Sequence, residues 1–384
     1  MTRNAVFESG TELKPLAQIE QKREMIRQFT PNWFAATMGT GILALVLPQV
    51  PGASSTLRAI GEGLWFFNIG LFTLFTILYA ARWIIFWHEA KRIFSHNIVS
   101  MFIGTIPMGL ATIINGFLFF GLPRWGDSMI LVAQWLWWVD VALSLGCGVL
   151  IPFFMFTRQA HGLDKMTAIW LLPIVAAEVA AVSGGLLAPH LIDANAQFIT
   201  LIVSYVLWAY SVPVAFGILT ILFLRMALHR LPPDSMAASC WLSIGPIGTG
   251  ALGMILLGTD AHAIFATQGM AGIGTVAEGL GVIAGTLLWG VGLWWLLLAT
   301  LITIRHFRAG IPFNLGWWGY TFPLGVYTVA TLKLGLVLKI AAFSTFGTLL
   351  VIVLAVMWGL VAARTIHGGW KGHLFVSPCI ASIN

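Results

Sequence analysis

The run Gly104-Thr105-Ile106-Pro107-Met108-Gly109 interrupts an otherwise apolar stretch, 98–120, and its reading decides the fold. The same Pro-x-Gly step returns in Gly245-Pro246-Ile247-Gly248 and in Phe322-Pro323-Leu324-Gly325, each time inside another apolar stretch. Proline removes a backbone donor from a helix and frees the carbonyl one turn earlier. In hydrocarbon such a freed group is tolerated only where protein or a water-lined cavity satisfies it. One such step alone would serve packing, since Pro and Gly are common in membrane helices. Its recurrence in separate stretches points to a repeated unit with an internal, broken helix.

Outward from these steps, ten apolar spans are long enough to cross a bilayer as helices: 31–49, 60–87, 98–120, 128–157, 167–188, 196–227, 237–257, 272–304, 315–333 and 340–363. Odd spans are shorter and carry the breakers. These are Gly39 and Gly41 in the first, Pro107 and Gly109 in the third and Pro173 in the fifth, then Pro246 and Gly248 in the seventh and Pro323 and Gly325 in the ninth. Even spans are longer and mostly free of proline. The pattern predicts an all-α integral membrane protein of ten transmembrane helices in five hairpins. In each hairpin a short broken inner helix is followed by a long outer helix that faces lipid.

Composition agrees. Of 384 residues, 59% are hydrophobic and 9% charged, against about a quarter charged in a soluble domain. A surface so apolar needs lipid as its solvent, which excludes the soluble enzyme and binding classes. The 18 Trp and 26 Phe suit helices facing acyl chains, with indoles near the interfaces. The net charge of +6 does not signal nucleic acid, because the basic residues are scattered among short loops, where they set topology. Counting Lys and Arg gives sixteen on the side of the N-terminus and four on the other. Both termini are therefore expected in the cytoplasm, and the chain in the plasma membrane or a bacterial inner membrane. Residues 1–30, with alternating charges and no cleavable apolar core, read as a cytoplasmic arm. Residues 31–364 are then expected to form the ten-span transmembrane domain and 365–384 a cytoplasmic tail.

Few residues offer chemistry. Cys147, Cys240 and Cys379 share no close spacing, and no histidine sits mid-span, so neither a metal knuckle nor a haem is expected. No phosphate-cradling loop, nucleophile elbow or metalloprotease helix is present, and neither enzyme activity nor a cofactor is expected. Ionisable groups inside a membrane are costly, which singles out Asp140, Glu178, Glu278 and Lys333. Glu178 follows the Pro173 break on an inner helix and is expected to face the pathway. In low dielectric its neutral acid is favoured, so it would exchange a proton near neutral pH or else simply tie helices together. Asp140, on an outer helix, reads as a structural group bonded to the backbone of a broken neighbour. Lys333 lies at the end of the ninth span, where it would attract anions to the outer mouth. Asp260-Ala261-His262 reads as a polar outer loop after the seventh span. Phe322, directly before Pro323, reads by spacing as a core residue or as a ring that closes a narrow apolar pore by sterics and dewetting.

Asn32-Trp33-Phe34-Ala35-Ala36-Thr37-Met38-Gly39-Thr40-Gly41-Ile42 resembles the opening helix of the tellurite-resistance/dicarboxylate transporter family. That family includes plant slow anion channels, fungal malate permeases and fungal sulfite efflux pumps. Ile106 to Thr112 and Trp317 to Pro323 resemble its third and ninth helices, and the likeness runs from about 28 to 366. The resemblance implies five hairpins around a central pore, assembly as a homotrimer and a pore-closing phenylalanine at Phe322. It implies transport of small anions, C4-dicarboxylates such as malate or sulfite, with protons as a possible coupled ion. A chloride or nitrate channel and a tellurite-resistance exporter are the alternatives within it. Trp137-Trp138-Val139-Asp140 and Phe153 to Phe156 are closer to the malate and sulfite branch than to the plant channels. Broken helices add a physical reason for anions, since amide ends exposed part-way through a membrane carry partial positive charge.

Overall fold

The computed structural model describes Leu16 and residues 21–381. Most of the expected N-terminal arm and the last residues of the expected tail lie outside the described residues. Ten principal helices follow in chain order: α1 (Ala35–Val46), α2 (Ser55–Ile85), α3 (Thr105–Gly116), α4 (Ser128–Thr157) and α5 (Leu172–Leu187), then α6 (Ala194–His229), α7 (Ile244–Thr267), α8 (Ala271–Ala309), α9 (Phe322–Leu338) and α10 (Ala341–Lys371). Among the described residues, nine helical segments are long and apolar enough to cross a membrane. The tenth expected span is α1 with its flanking 3-10 turns, Pro31–Phe34 and Leu47–Gln49, which is not one of the nine. Pro31, Asn32, Pro48 and Gln49 dilute its apolar character. Every residue of α1 itself is buried by protein.

The alternation of inner and outer helices is present. In the most apolar window of each span, residues around α3, α5, α7 and α9 are 72%, 94%, 100% and 78% buried; α2 reaches 17%, and α4, α6, α8 and α10 33% each. The exposed side chains of the outer helices are large and apolar, among them Phe67, Ile77, Trp135, Val206, Leu287 and Ile352. Such a belt is stable only against acyl chains. The chain is a multi-pass integral membrane protein.

The inner helices pack in the order α1, α3, α5, α7, α9 and back to α1, a closed ring of five. Close approach around it depends on small residues. A Cβ on Gly248 would lie 2.9 Å from the backbone of Tyr327 on α9, and one on Gly104 would collide with the Leu172 carbonyl oxygen at the start of α5. Backbone cannot yield as a flexible side chain can, so both seams require glycine.

The prolines act differently from the expectation of mid-helix breaks. Pro107, Pro173, Pro246 and Pro323 each fall in the first turn of an α-helix. There the missing N–H has no intrahelical partner to lose. Ahead of α3, α5 and α9 the chain runs as 3-10 turns, Val99–Gly104, Ala168–Leu171 and Leu315–Tyr320. The third, fifth and ninth spans are thus each a tight 3-10 lead-in followed by an α-helix with proline in its first turn.

Five tryptophans tie the outer helices to the ring. Indole N–H groups donate from Trp65 on α2 to the Ile113 carbonyl (3.2 Å), from Trp137 on α4 to Ala180 (2.9 Å) and from Trp208 on α6 to Gly250 (2.9 Å). Trp289 on α8 donates to Thr331 Oγ1 (2.8 Å), and Trp358 on α10 to Thr40 Oγ1 (3.1 Å). Each outer helix bonds the next inner helix, and the last bonds the first. These indoles are structural donors rather than interface anchors.

Candidate anion pathway

The lead-in turns of the inner helices meet at one end of the ring and enclose a cavity of about 350 Å³. Asn32 and Ala35 come from the start of α1, Phe102 and Thr105 from that of α3, and Ile169 and Leu172 from that of α5. Ser239 and Leu242 come from the turn ahead of α7, and Leu315 and Gly319 from the lead-in to α9. None of the lining residues is Lys, Arg, Asp or Glu. The electrostatics therefore come from backbone: N–H groups at a helix N-terminus carry partial positive charge and bind anions. Several such ends around one mostly apolar cavity favour an anion over a cation without a fixed charge.

The chain after α10 forms part of the rim, where His373, Leu374, Val376 and Pro378 line the same cavity. It is well tied down. Ser377 N–H donates to Gln28 Oε1 at 2.8 Å, and the Phe375 ring stacks on Trp33 with centroids 4.9 Å apart. Arg82, buried on α2, donates to the Phe29 carbonyl and, at 3.1 Å, to Ser377 Oγ.

Phe322 opens α9, is 3% exposed, and belongs to the central core three residues past Gly319 of the cavity wall. Gly39, Gly41, Gly109 and Gly325 fall at seams between inner helices. A Cβ at these positions would meet Thr321, Thr112, Thr37 and Ile42 respectively. These glycines set how closely the ring packs.

Glu178 is fully buried on α5, and its Oε2 lies 3.2 Å from Ser211 Oγ on the outer helix α6. The carboxyl is thus turned toward α6, not toward the pathway as expected, and Oε1 has no partner among the described residues. Asp140 is buried on α4, but neither carboxyl oxygen has a hydrogen-bond partner among the described residues. The expected bonds to the neighbour's backbone are made instead by Trp137 and by Ser144, whose Oγ donates to Ala176 at 3.2 Å. Lys333 is partly exposed near the end of α9, close enough to Asp260 for their charges to interact. Asp260-Ala261-His262 is not a loop: α7 continues through it, and His262 Nδ1 reaches Glu278 Oε2 on α8 at 3.3 Å. The cavity wall itself was not singled out from sequence. Its one signal is position, since Thr105, Leu172 and Leu242 lie just before the prolines of their helices.

A ring of buried helices inside a lipid-facing shell, with helix N-termini gathered at one mouth, defines a membrane protein that transports anions. The chain belongs to the voltage-dependent anion channel family, which it matches over residues 28–366. Relatives include the sulfite efflux pump of Arthroderma otae, 39% identical over 353 residues, 91% of this chain and 93% of that protein. An uncharacterised transporter of Methanocaldococcus jannaschii is 28% identical over 367 residues, 94% and 99% of the two chains. The malic acid transport protein of Schizosaccharomyces pombe is 24% identical over 349 residues, 88% and 78%.

Proposed function

We propose that the chain carries sulfite, or a small dicarboxylate such as malate, along the axis of the five inner helices, with Phe322 as the closing group. The observation that carries this reading is the cavity built from helix N-termini without a charged side chain. It holds an anion by backbone dipoles, weakly enough to let it leave, as conduction requires. The extent of the likeness to the Arthroderma otae pump favours sulfite over malate. Phe322 suits a gate by its place at the junction between the lead-in turn and α9, where a small change at Thr321 would swing the ring.

The same reading places the lead-in cavity and both termini in the cytoplasm, by the excess of Lys and Arg on that side. It takes 1–30 as an arm, 31–364 as a ten-span transport domain and 365–384 as a tail, in a plasma or bacterial inner membrane. A homotrimer is its assembly, and its role is transport without catalysis. Lys333 and Asp260 sit at the opposite mouth, where Lys333 draws anions in.

The test is anion flux into proteoliposomes, comparing sulfite, malate, succinate, nitrate and chloride with and without a pH gradient. Sulfite is expected to move fastest, and Phe322→Ala to raise its flux. A chloride or nitrate rate well above that of sulfite would reassign the chain to the passive-channel alternative. Unchanged or lower flux in Phe322→Ala would remove Phe322 from its role.

A further inference from the structure

A second cavity, about 600 Å³, lies beside the first, between the loops that lead into α3 and α5 and the end of α6. The two share Ile98, Ile169 and Met236, so only an apolar partition separates them. Their electrostatics differ. The second cavity is lined by Arg225, Lys165, His161 and His229, with Asp164 as the one carboxylate among its lining residues.

Arg225 is the informative group. It is 3% exposed, and among the described residues no carboxylate lies within 4 Å of it. Its Nε and one terminal nitrogen donate to the Asp164 carbonyl at 3.2 and 2.6 Å, and the other terminal nitrogen donates to the Arg230 carbonyl at 2.7 Å. A guanidinium has five N–H donors, so three bonds leave two N–H groups of this cavity-lining side chain without a protein partner among the described residues. A buried cation held only by neutral carbonyls keeps its charge uncompensated, a desolvation cost that an adjacent anion would offset. Thr167, buried in the same wall, adds a hydroxyl, and Trp170 packs edge-on against His161 with ring centroids 5.0 Å apart.

We infer that this cavity is a second anion site, separate from the central pathway, which binds an oxyanion with at least two charged oxygens on Arg225, Lys165 and His229. The oxyanion is either free in solution or the phosphate of an anionic lipid headgroup; the chemistry of recognition is the same. A guanidinium presents its remaining donors in a fork that matches two oxygens of one such group.

The test uses the full chain in nanodiscs of phosphatidylcholine, with thermal unfolding followed at matched ionic strength. Inorganic phosphate or sulfite is added in one arm, and in the other phosphatidylglycerol replaces part of the lipid without free oxyanion. Wild type is expected to be stabilised in at least one arm, and that arm identifies the source of the oxyanion. Lys165 and His229 are exposed, so the double variant Lys165→Gln/His229→Gln should unfold like wild type without ligand. With ligand, it should need about ten-fold more for the same shift. Phe322→Ala should keep the full response. Stabilisation in neither arm, or an equal response in the double variant, would overturn the inference.

Discussion

The hydroxyl of Ser211 has one hydrogen and two acceptors in reach, the Ile174 carbonyl at 2.9 Å and Glu178 Oε2 at 3.2 Å. If the carbonyl takes that hydrogen, the carboxyl completes the contact only by donating its own proton. Glu178 would then be a proton-holding group fixed between α5 and α6, one helix away from the pathway. Were proton binding there coupled to anion movement, Glu178→Gln would abolish the pH dependence of uptake and leave an anion leak. The amide donates to Ser211 as the acid does, so folding should be preserved. Uptake that keeps its pH dependence would remove Glu178 from any coupling role. The alternation of broken and smooth spans placed Glu178 on a buried helix; it carried no information about which neighbour the carboxyl meets, because α5 is covered on nearly every side.

At the scale of elements, prolines and glycines divide the work. Proline in the first turn starts the α-helix, after a 3-10 lead-in at 107 and 323 and after the short α-turn Ser239–Leu242 at 246, while glycine two residues later, at 109, 248 and 325, meets the neighbouring inner helix. The Pro-x-Gly step therefore combines a helix start with a seam contact, which explains why the two residues recur together. Gly248→Ala is the sharpest check, because the added methyl would meet the Tyr327 backbone at 2.9 Å. Overpacking of this kind costs about 1–3 kcal/mol, so thermal unfolding in detergent should begin at lower temperature. Gly217 has open space around its Cβ position, and the same substitution there should not lower stability. The five donor tryptophans recur every 69 to 81 residues. Hydropathy hides that repeat among 18 tryptophans, because an indole that donates inward scores the same as one facing lipid.

For the molecule as a whole, closure of the ring joins the two ends of the chain. The α9–α1 seam closes the ring, and the bond from Trp358 on α10 to Thr40 on α1 links residues 318 apart in sequence. Trp358→Phe removes this bond while keeping an aromatic ring, and a hydrogen bond contributes about 1 kcal/mol. Because the seam is cyclic, hydrogen exchange should rise in α1 and α10 together. Exchange that increased in α10 alone would show that the contact does not hold the ring shut. The tail over the cavity mouth is anchored across similar distances, from Ser377 to Gln28 and Arg82.

Composition, hydrophobic span length and the recurring Pro-x-Gly step were enough to determine a membrane protein of alternating buried and lipid-facing helices, since those properties depend on the solvent around each segment. The resemblance carried by 32–42, 106–112 and 317–323 reached the family for the same reason: those residues form the lead-in turns and helix starts that the ring requires. Tertiary structure alone decided that Glu178 turns toward α6, that the glycines are seams, and that Arg225 stands uncompensated beside a cavity. The first two depend on which face of a buried inner helix meets which neighbour, and a helix apolar on all sides leaves no periodic trace of that choice; the third depends on which loops fold over the end of the outer helix α6.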